Sequence, residues 1–220
     1  MYNFNFYMPT KVLFGPGKLN ELHSEQLPGK KALIAIGGKS VKKYGYLERL
    51  EKELDAANVK YVLFEGIRPN PTDINVMEGA KAVRENDCDF VIALGGGSIM
   101  DCSKCIALMA SNNGDIWDYS LSANGGKKQP ENPALPIVCI TTSVDIASVI
   151  TNDTTQEETG IFFPSMFPTL SVVDSDLMMS VPAKLTAYQG MDAFFHASET
   201  VVNINHHPIE YSCAAEPPVR

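Results

Sequence analysis

Short apolar runs that alternate with helical patterns constrain this chain more than any other feature of its sequence. Lys31–Ile36, Phe90–Leu94 and Ile137–Thr142 are runs of five or six residues, mostly apolar, as expected for strands buried on both faces of a sheet. After the first run, apolar side chains recur every three or four positions, at Val41, Tyr44, Leu47, Leu50 and Leu54. This spacing predicts a helix, and the alternation predicts a Rossmann-like parallel sheet with helices on both faces.

Other segments extend this α/β domain and mark its end. Three further segments are predicted as strands: Lys60–Phe64, Val149–Thr151 and Ser171–Val173. Beyond Pro182 only helical patterning remains. We therefore predict an α/β domain over residues 1–180, followed by the beginning of an all-helical domain, incomplete, over residues 181–220.

Two segments between the predicted strands and helices contain residues typical of turns and helix caps. Pro69–Thr72 predicts a turn, because proline restricts its own φ and the conformation of the residue before it. Thr72 or Asp73 is placed to cap a following helix. Ile74, Met77 and Ala80 share one face of that helix. Residues 112–136 are polar and rich in Gly and Pro, and are predicted as a loop with one helical turn at Asp115–Asp118.

Composition excludes several classes of partner. The 18 Lys and Arg face 26 Asp and Glu, giving a net charge of −8, which argues against nucleic-acid binding and against an anionic membrane surface. No apolar run is long enough for a transmembrane helix, and the N-terminus lacks a secretory signal pattern. The odd number of cysteines, five, is typical of reduced thiols, so a cytoplasmic location is predicted.

Two of these cysteines, Cys102 and Cys105, form a C-x-x-C pattern. No second pair or suitably spaced His follows to complete a zinc site. Both residues are therefore interpreted as buried cysteines of a helix.

The segment Gly95–Ser98 follows a predicted strand and precedes a predicted helix. Glycines let a ligand approach the backbone, and the free N–H groups of a helix N-terminus attract an anion such as pyrophosphate. Ser98 and Asp101 have the spacing of a capping box. A plain tight turn is the alternative, since the segment is not the G-x-G-x-x-G fingerprint of dinucleotide-binding folds.

A second polar group follows Gly190. Asp192, His196 and Glu199 are spaced to lie on one face of a helix, and their apolar neighbours predict a stripe that is at least partly buried. A carboxylate and an imidazole together suit Fe²⁺ or Zn²⁺. From spacing alone, a simple Asp–His hydrogen bond is the favoured alternative.

Taken in order, these pieces resemble the iron-containing, metal-dependent alcohol dehydrogenases, and among them the butanol dehydrogenase branch. The resemblance covers residues 1 to 207 and rests on Phe14–Gly17, Pro69–Thr72, Gly95–Asp101, Asp115–Asp118, Leu135–Ile137, Thr141–Ser143, Val149–Asn152 and Gly190–His196. It implies an oxidoreductase with an N-terminal dinucleotide-binding domain and a C-terminal helical metal-binding domain. The implied reaction is hydride transfer between NAD(P) and a primary alcohol or aldehyde, with a divalent metal polarising the substrate oxygen.

The resemblance also implies site residues. Gly96, Gly97 and Ser98 would hold the pyrophosphate, Thr141 and Thr142 would approach the nicotinamide, and Asp192 and His196 would be the first two of four metal ligands. The full set of predicted cofactor-binding residues is Gly37, Gly38, Lys39, Asn70, Gly96, Gly97, Ser98, Asp101, Thr141, Thr142 and Val149.

The stretch Gly37–Ser40 bears on the choice of cofactor. We take it as the stretch after the second Rossmann strand, where an acidic residue normally binds the ribose 2′-hydroxyl of NAD and repels a 2′-phosphate. Gly37–Ser40 contains no carboxylate, and Lys39 and Ser40 suit a phosphate. The sequence therefore favours NADP, with NAD as the alternative.

Three departures from the family pattern predict an impaired, truncated copy. The loop after Ser143 is shorter by about six residues, and Glu158 replaces a common lysine. The two remaining metal ligands of the family would lie beyond residue 220. His207 is no substitute, since eleven residues along a helix from His196 span roughly 16 Å, and His206 would point elsewhere.

Two alternatives to an active dehydrogenase stay open: a non-catalytic nucleotide-binding remnant, and a lyase that uses metal and NAD as dehydroquinate synthases do. The expected partner is a small alcohol or aldehyde, with no nucleic acid or membrane and with a possible homodimer. Missing C-terminal helices would leave a face of the α/β domain uncovered and its apolar area exposed, which predicts marginal stability and association.

Overall fold

The computed structural model of the chain describes residues 7–122, 124–143 and 148–202. These residues fall into two compact units. The first is Pro9–Ser180, and residues 181–202 belong to the second. No helix among the described residues is both long and apolar enough to cross a membrane.

The first unit is built on a parallel sheet. Its strands are β1 (Lys11–Phe14), β2 (Lys31–Ala35), β3 (Lys60–Phe64), β4 (Phe90–Gly95), β5 (Ile137–Thr141), β6 (Val149–Thr151), β7 (Glu158–Gly160) and β8 (Leu170–Val173). Six of them form one sheet in the order β1-β8-β5-β4-β2-β3, with every neighbouring pair parallel. β6 and β7 form a separate antiparallel hairpin. The predicted Rossmann-like α/β fold is thereby confirmed.

The helices are α1 (Ser40–Lys43), α2 (Tyr46–Ala56), α3 (Asp73–Glu85), α4 (Gly97–Ser111), α5 (Ser175–Met178) and α6 (Ala183–Val202), with 3-10 turns at Lys18–Ser24, Ile116–Tyr119 and Pro164–Met166. The single helix predicted after β2 is wrong. Gly45 adopts a left-handed conformation with φ of 74° and separates α1 from α2, and Tyr44 is exposed. Ile74 is exposed as well, because α3 turns Val76, Ala80 and Val83 toward the sheet.

The sheet is covered on both faces. Alternate residues of β2 enter different cores, as the two-residue period of a strand requires: Leu33 joins α3 and α4 on one face, and Ile34 joins α2 and the Lys18–Ser24 turn on the other. In the sheet, β3 lies on one side of β2, whereas β4, β5 and β8 lie on the other side. The strand order therefore reverses between β2 and β4, and the covering helices change face with it.

The buried carboxylate of Asp174 joins the Lys18–Ser24 turn near the N-terminus to the end of β8. Asp174, fully buried after β8, accepts hydrogen bonds from Gly17 N (2.9 Å) and Leu19 N (3.0 Å), and it caps α5 through Asp176 N (3.0 Å). Arg49 of α2 adds an ion pair at 3.2 Å. One side chain thus accepts from three backbone N–H groups, of which that of Leu19 would otherwise be buried without a partner.

Candidate functional site

Two glycine turns lie side by side where the strand order reverses. Gly37 and Gly38 follow β2, and Gly95–Gly97 ends β4 and begins α4. The two strands are paired in parallel with Ala35 opposite Ala93, so both turns emerge at the same edge of the sheet. In open α/β sheets, the crevice at such a reversal, beyond the carboxyl ends of the strands, is where ligands bind.

Gly37 and Gly38, which follow β2, differ in the space available for a side chain. A Cβ on Gly37 would lie 2.7 Å from the Cδ1 atom of Ile99 and 3.0 Å from the carbonyl oxygen of Ile67, so packing excludes a side chain there. A Cβ on Gly38 would meet nothing within 4 Å. Gly38 therefore borders open space at the mouth of the crevice, and the next residue, Lys39, is exposed.

The N-terminus of α4 differs from the predicted capping box. The helix begins at Gly97 with Gly96 as its N-cap, and no side chain caps it. Ser98 is therefore the second residue of the helix, and Asp101 is buried within it. The capping-box prediction is wrong because the N-cap is Gly96, two residues before Ser98.

Asn70 joins this turn from the loop between β3 and α3. Its backbone N–H donates to the Ser98 hydroxyl oxygen at 3.3 Å. Asn70 has a φ of 53°, in the left-handed region that few residues other than glycine adopt. The structure thus brings together two predicted cofactor residues that are 28 positions apart in the chain.

The end of β5 supplies a third strand terminus to the same edge. Thr142 N donates to the carbonyl oxygen of Gly95 at 2.8 Å. The Thr141 hydroxyl donates to the carbonyl oxygen of Ser143, and the Ser143 hydroxyl accepts from Gly97 N at 3.2 Å. Sequence reasoning missed Ser143. The signal in the sequence was its place at the end of the Thr141–Ser143 motif.

Val149 lies at the start of the β6–β7 hairpin, half-buried. The hairpin is tied to the Asn70 loop, because Thr151 N donates to the carbonyl oxygen of Pro71 at 3.0 Å. Glu158 begins β7 and is exposed. The contact of Val149 with a cofactor stays a prediction.

The two predicted metal ligands lie on α6, in the second unit. Asp192 Oδ2 and His196 Nε2 are 3.7 Å apart, and their side chains are 51% and 70% exposed. The predicted partial burial is wrong, because α6 buries none of its side chains. Among the described residues, no three His, Cys, Asp or Glu side chains form a group able to hold a metal ion.

The same helix exposes apolar side chains, although it lies outside the α/β domain for which the sequence predicts an uncovered apolar face. Large apolar side chains are exposed along α6 at Leu185, Tyr188, Met191, Phe194, Phe195, Val201 and Val202. The association expected from such a surface stays a prediction.

The cysteines behave as the sequence predicts. Cys88, Cys102, Cys105 and Cys139 are free and buried. Burial raises the pKa of the Cys102 and Cys105 thiols well above its ordinary value and that of Cys139 to about 12. At neutral pH these three thiols are protonated, so none is poised as a nucleophile.

A thiol titration checks this assignment. In a Cys213→Ser variant, which removes the cysteine outside the described residues, we expect no fast reaction with a thiol-specific disulfide reagent at pH 8. All four remaining thiols should react once the chain is unfolded in guanidinium, as the number of cysteines requires. Rapid modification of two thiols in the native protein would contradict the buried C-x-x-C.

Several predictions concern residues outside the described ranges. The shortened loop falls on residues 144–147, and His206, His207 and Cys213 fall within 203–220. These predictions therefore stay open.

Comparison with known proteins decides the family. Residues 9–175 match the model of the iron-containing alcohol dehydrogenases. The chain belongs to this family. It is 35% identical over 218 residues to alcohol dehydrogenase 4 of Schizosaccharomyces pombe. The aligned region covers 96% of this chain and 50% of that protein. The predicted family resemblance is confirmed.

Solved structures of this iron-containing alcohol dehydrogenase family have the same fold. NADH-dependent butanol dehydrogenase A from Thermotoga maritima superposes with a TM-score of 0.87 at 31% identity, over 97% of this chain and 55% of that chain. Sulfoacetaldehyde reductase from Bifidobacterium kashiwanohense, solved with NAD+, superposes with a TM-score of 0.84 at 30% identity, over 97% of this chain and 57% of that chain. The chain spans about half the length of the curated relatives it matches.

Proposed function

We propose that this chain binds a nicotinamide dinucleotide across the crevice between β2 and β4 and takes part in oxidoreduction of a primary alcohol or aldehyde. The observation that carries the proposal is the meeting of the two glycine turns at the strand-order reversal. Similar proteins are named NADH-dependent butanol dehydrogenases, and one neighbour was solved with NAD+. Membership of the family gives the reaction class.

The residues of the crevice fit a dinucleotide. The N–H groups at the start of α4 would hold the pyrophosphate, because they have no acceptor one turn back in the helix and carry the positive end of its dipole. Asn70 and Ser98, already hydrogen bonded to each other, would line the cofactor. The open space beside Gly38 would receive the adenosine ribose, with Lys39 beside a 2′-phosphate. The exposed side chain of Lys39 and the lack of a carboxylate in Gly37–Ser40 support the preference for NADP.

Asp192 and His196 are proposed as two ligands of a divalent metal. Their donor atoms, 3.7 Å apart, lie within about 4.2 Å, the span that two ligands at ~2.1 Å from one ion can reach. When bound, the nicotinamide would exchange a hydride with the substrate carbon and the metal would polarise the substrate oxygen. Two donors alone hold a catalytic metal poorly, since such sites usually have three protein ligands.

A second candidate function follows from that donor count. A chain with a dinucleotide crevice and no group of three metal donors among its described residues would bind the cofactor without turnover. This is the non-catalytic nucleotide-binding protein that the sequence left open.

Two measurements separate these functions. Titration of NADPH and NADH with the protein should change the cofactor's fluorescence, and ADP should reverse the change by competing for the pyrophosphate site. Butyraldehyde should then be reduced by NADPH after addition of Fe²⁺ or Zn²⁺, with EDTA as the control. Absence of binding contradicts the crevice, and binding without turnover favours the second function.

The metal pair has its own control. His196→Ala should abolish metal-dependent turnover while leaving the affinity for NADPH unchanged, because His196 is exposed and its loss leaves no cavity. An equal loss of cofactor affinity would contradict the assignment of His196 to the metal.

A further inference from the structure

The N-terminus of α4 already has a ligand from within the protein. The Ser143 hydroxyl oxygen accepts a hydrogen bond from Gly97 N at 3.2 Å. A phosphate oxygen that used the Gly97 N–H would have to occupy the same position. The hydroxyl therefore lies in the place of the anion that the turn is built to bind.

Thr141 holds Ser143 in this position. The Thr141 hydroxyl donates to the carbonyl oxygen of Ser143 and accepts from Ser143 N at 3.3 Å. Thr141 is buried at 4% exposure, and the bond from Thr142 N to Gly95 O continues the pairing of β4 and β5. We call Thr141–Ser143 the clasp. Its side chain and backbone bonds orient the Ser143 hydroxyl toward α4.

The contact with Gly96 is independent of these hydrogen bonds. A Cβ on Gly96 would lie 2.9 Å from the hydroxyl oxygen of Ser143 and 3.6 Å from its Cβ. The first distance is shorter than ordinary van der Waals contact. The close approach that glycine permits at position 96 is thus made by the clasp in this structure.

The N–H groups that α4 can offer to an anion are few. Ile99 N and Met100 N both donate to the carbonyl oxygen of Gly96, at 2.9 and 3.2 Å. This leaves the N–H groups of Gly97 and Ser98 for a ligand. Because Ser143 takes the first of them, a pyrophosphate that uses both has to displace the Ser143 hydroxyl.

We propose that the Ser143 hydroxyl competes with the cofactor pyrophosphate for the N-terminus of α4 and so lowers the affinity of this chain for dinucleotides. The inference rests on the proposed cofactor crevice and adds to it a residue that controls its occupancy. The clasp opens when the dinucleotide binds and closes when it leaves. In the closed state, the protein itself satisfies the Gly97 N–H.

The test compares Ser143→Ala with the unaltered protein by calorimetric titration. Removing the competing hydrogen bond should lower the Kd for ADP, NADH and NADPH by a similar factor, about 2- to 10-fold, because all three carry the pyrophosphate. Ser24→Ala, at an exposed serine of the Lys18–Ser24 turn, is the matched control and should leave all three Kd values unchanged.

The outcomes are distinct for the two proposals. Tighter binding by Ser143→Ala, or binding by that variant alone, supports the competition. Equal or weaker binding by the variant overturns it and leaves the proposed function standing, with weaker binding making Ser143 a ligand of the phosphate. No binding of any of the three ligands by either protein overturns both.

A stability measurement tests the clasp without a ligand. Gly96→Ala should lower Tm by about 3–6 °C, since its Cβ would press on the Ser143 hydroxyl. In the Ser143→Ala background, the same substitution should cost less than half of this, because only the 3.6 Å contact remains. Additive effects of the two substitutions would overturn the contact between the clasp and Gly96.

Discussion

Replacing Gly38 with Asp is expected to weaken NADPH binding by about 10- to 100-fold, through repulsion between the new carboxylate and a 2′-phosphate bound beside Lys39 as proposed. The same substitution should strengthen NADH binding, because a carboxylate after this strand accepts a hydrogen bond from the ribose 2′-hydroxyl. The structure tolerates the side chain, since a Cβ at Gly38 meets nothing within 4 Å. Fluorescence titrations with the two cofactors measure the change.

Gly38→Asn is the matched control for this prediction. It has nearly the shape of Asp without the charge, so it should change the affinity for NADPH by much less. If Gly38→Asp changed the affinities for NADH and NADPH by the same factor, the ribose would lie elsewhere and Lys39 would lose its assigned role beside the 2′-phosphate.

Replacing Asp174 with Asn should lower the free energy of unfolding by about 3–5 kcal/mol, the range for breaking a buried, hydrogen-bonded ion pair. Oδ1 accepts from Gly17 N and Asp176 N, and Oδ2 accepts from Leu19 N and Arg49 Nη2. An amide keeps the shape but sets its NH2 group against two donors, which leaves them buried without an acceptor. Chemical denaturation followed by circular dichroism measures the loss.

Asp55→Asn is the control, since Asp55 is exposed on α2, and surface changes of this kind stay within about 0.5 kcal/mol. Equal denaturation midpoints for the two variants would show that the carboxylate at position 174 does not hold the N-terminal turn to the sheet.

The central strands could be predicted because strands that are buried on both faces consist almost entirely of apolar residues. β2, β4 and β5 are almost wholly buried and read as continuous apolar runs. β1 was missed because it is a four-residue strand at the edge of the sheet and is largely exposed, which leaves no such run. The break at Gly45 was missed because an apolar period of three to four residues continues across it in the sequence.

Some features of the candidate site could likewise be predicted from the sequence, and others could not. The chain by itself determined the glycine turns, the Asn70 loop and the Asp192–His196 pair, because local conformation and short spacing specify them. It did not determine that the turns after β2 and β4 are neighbours, that the Ser143 hydroxyl reaches Gly97 N, or that α6 leaves its polar stripe exposed. Those facts depend on strand order and on packing between residues far apart in the chain. Only the tertiary structure decides them, because hydrogen bonds and burial between distant segments leave no periodic signal in the sequence.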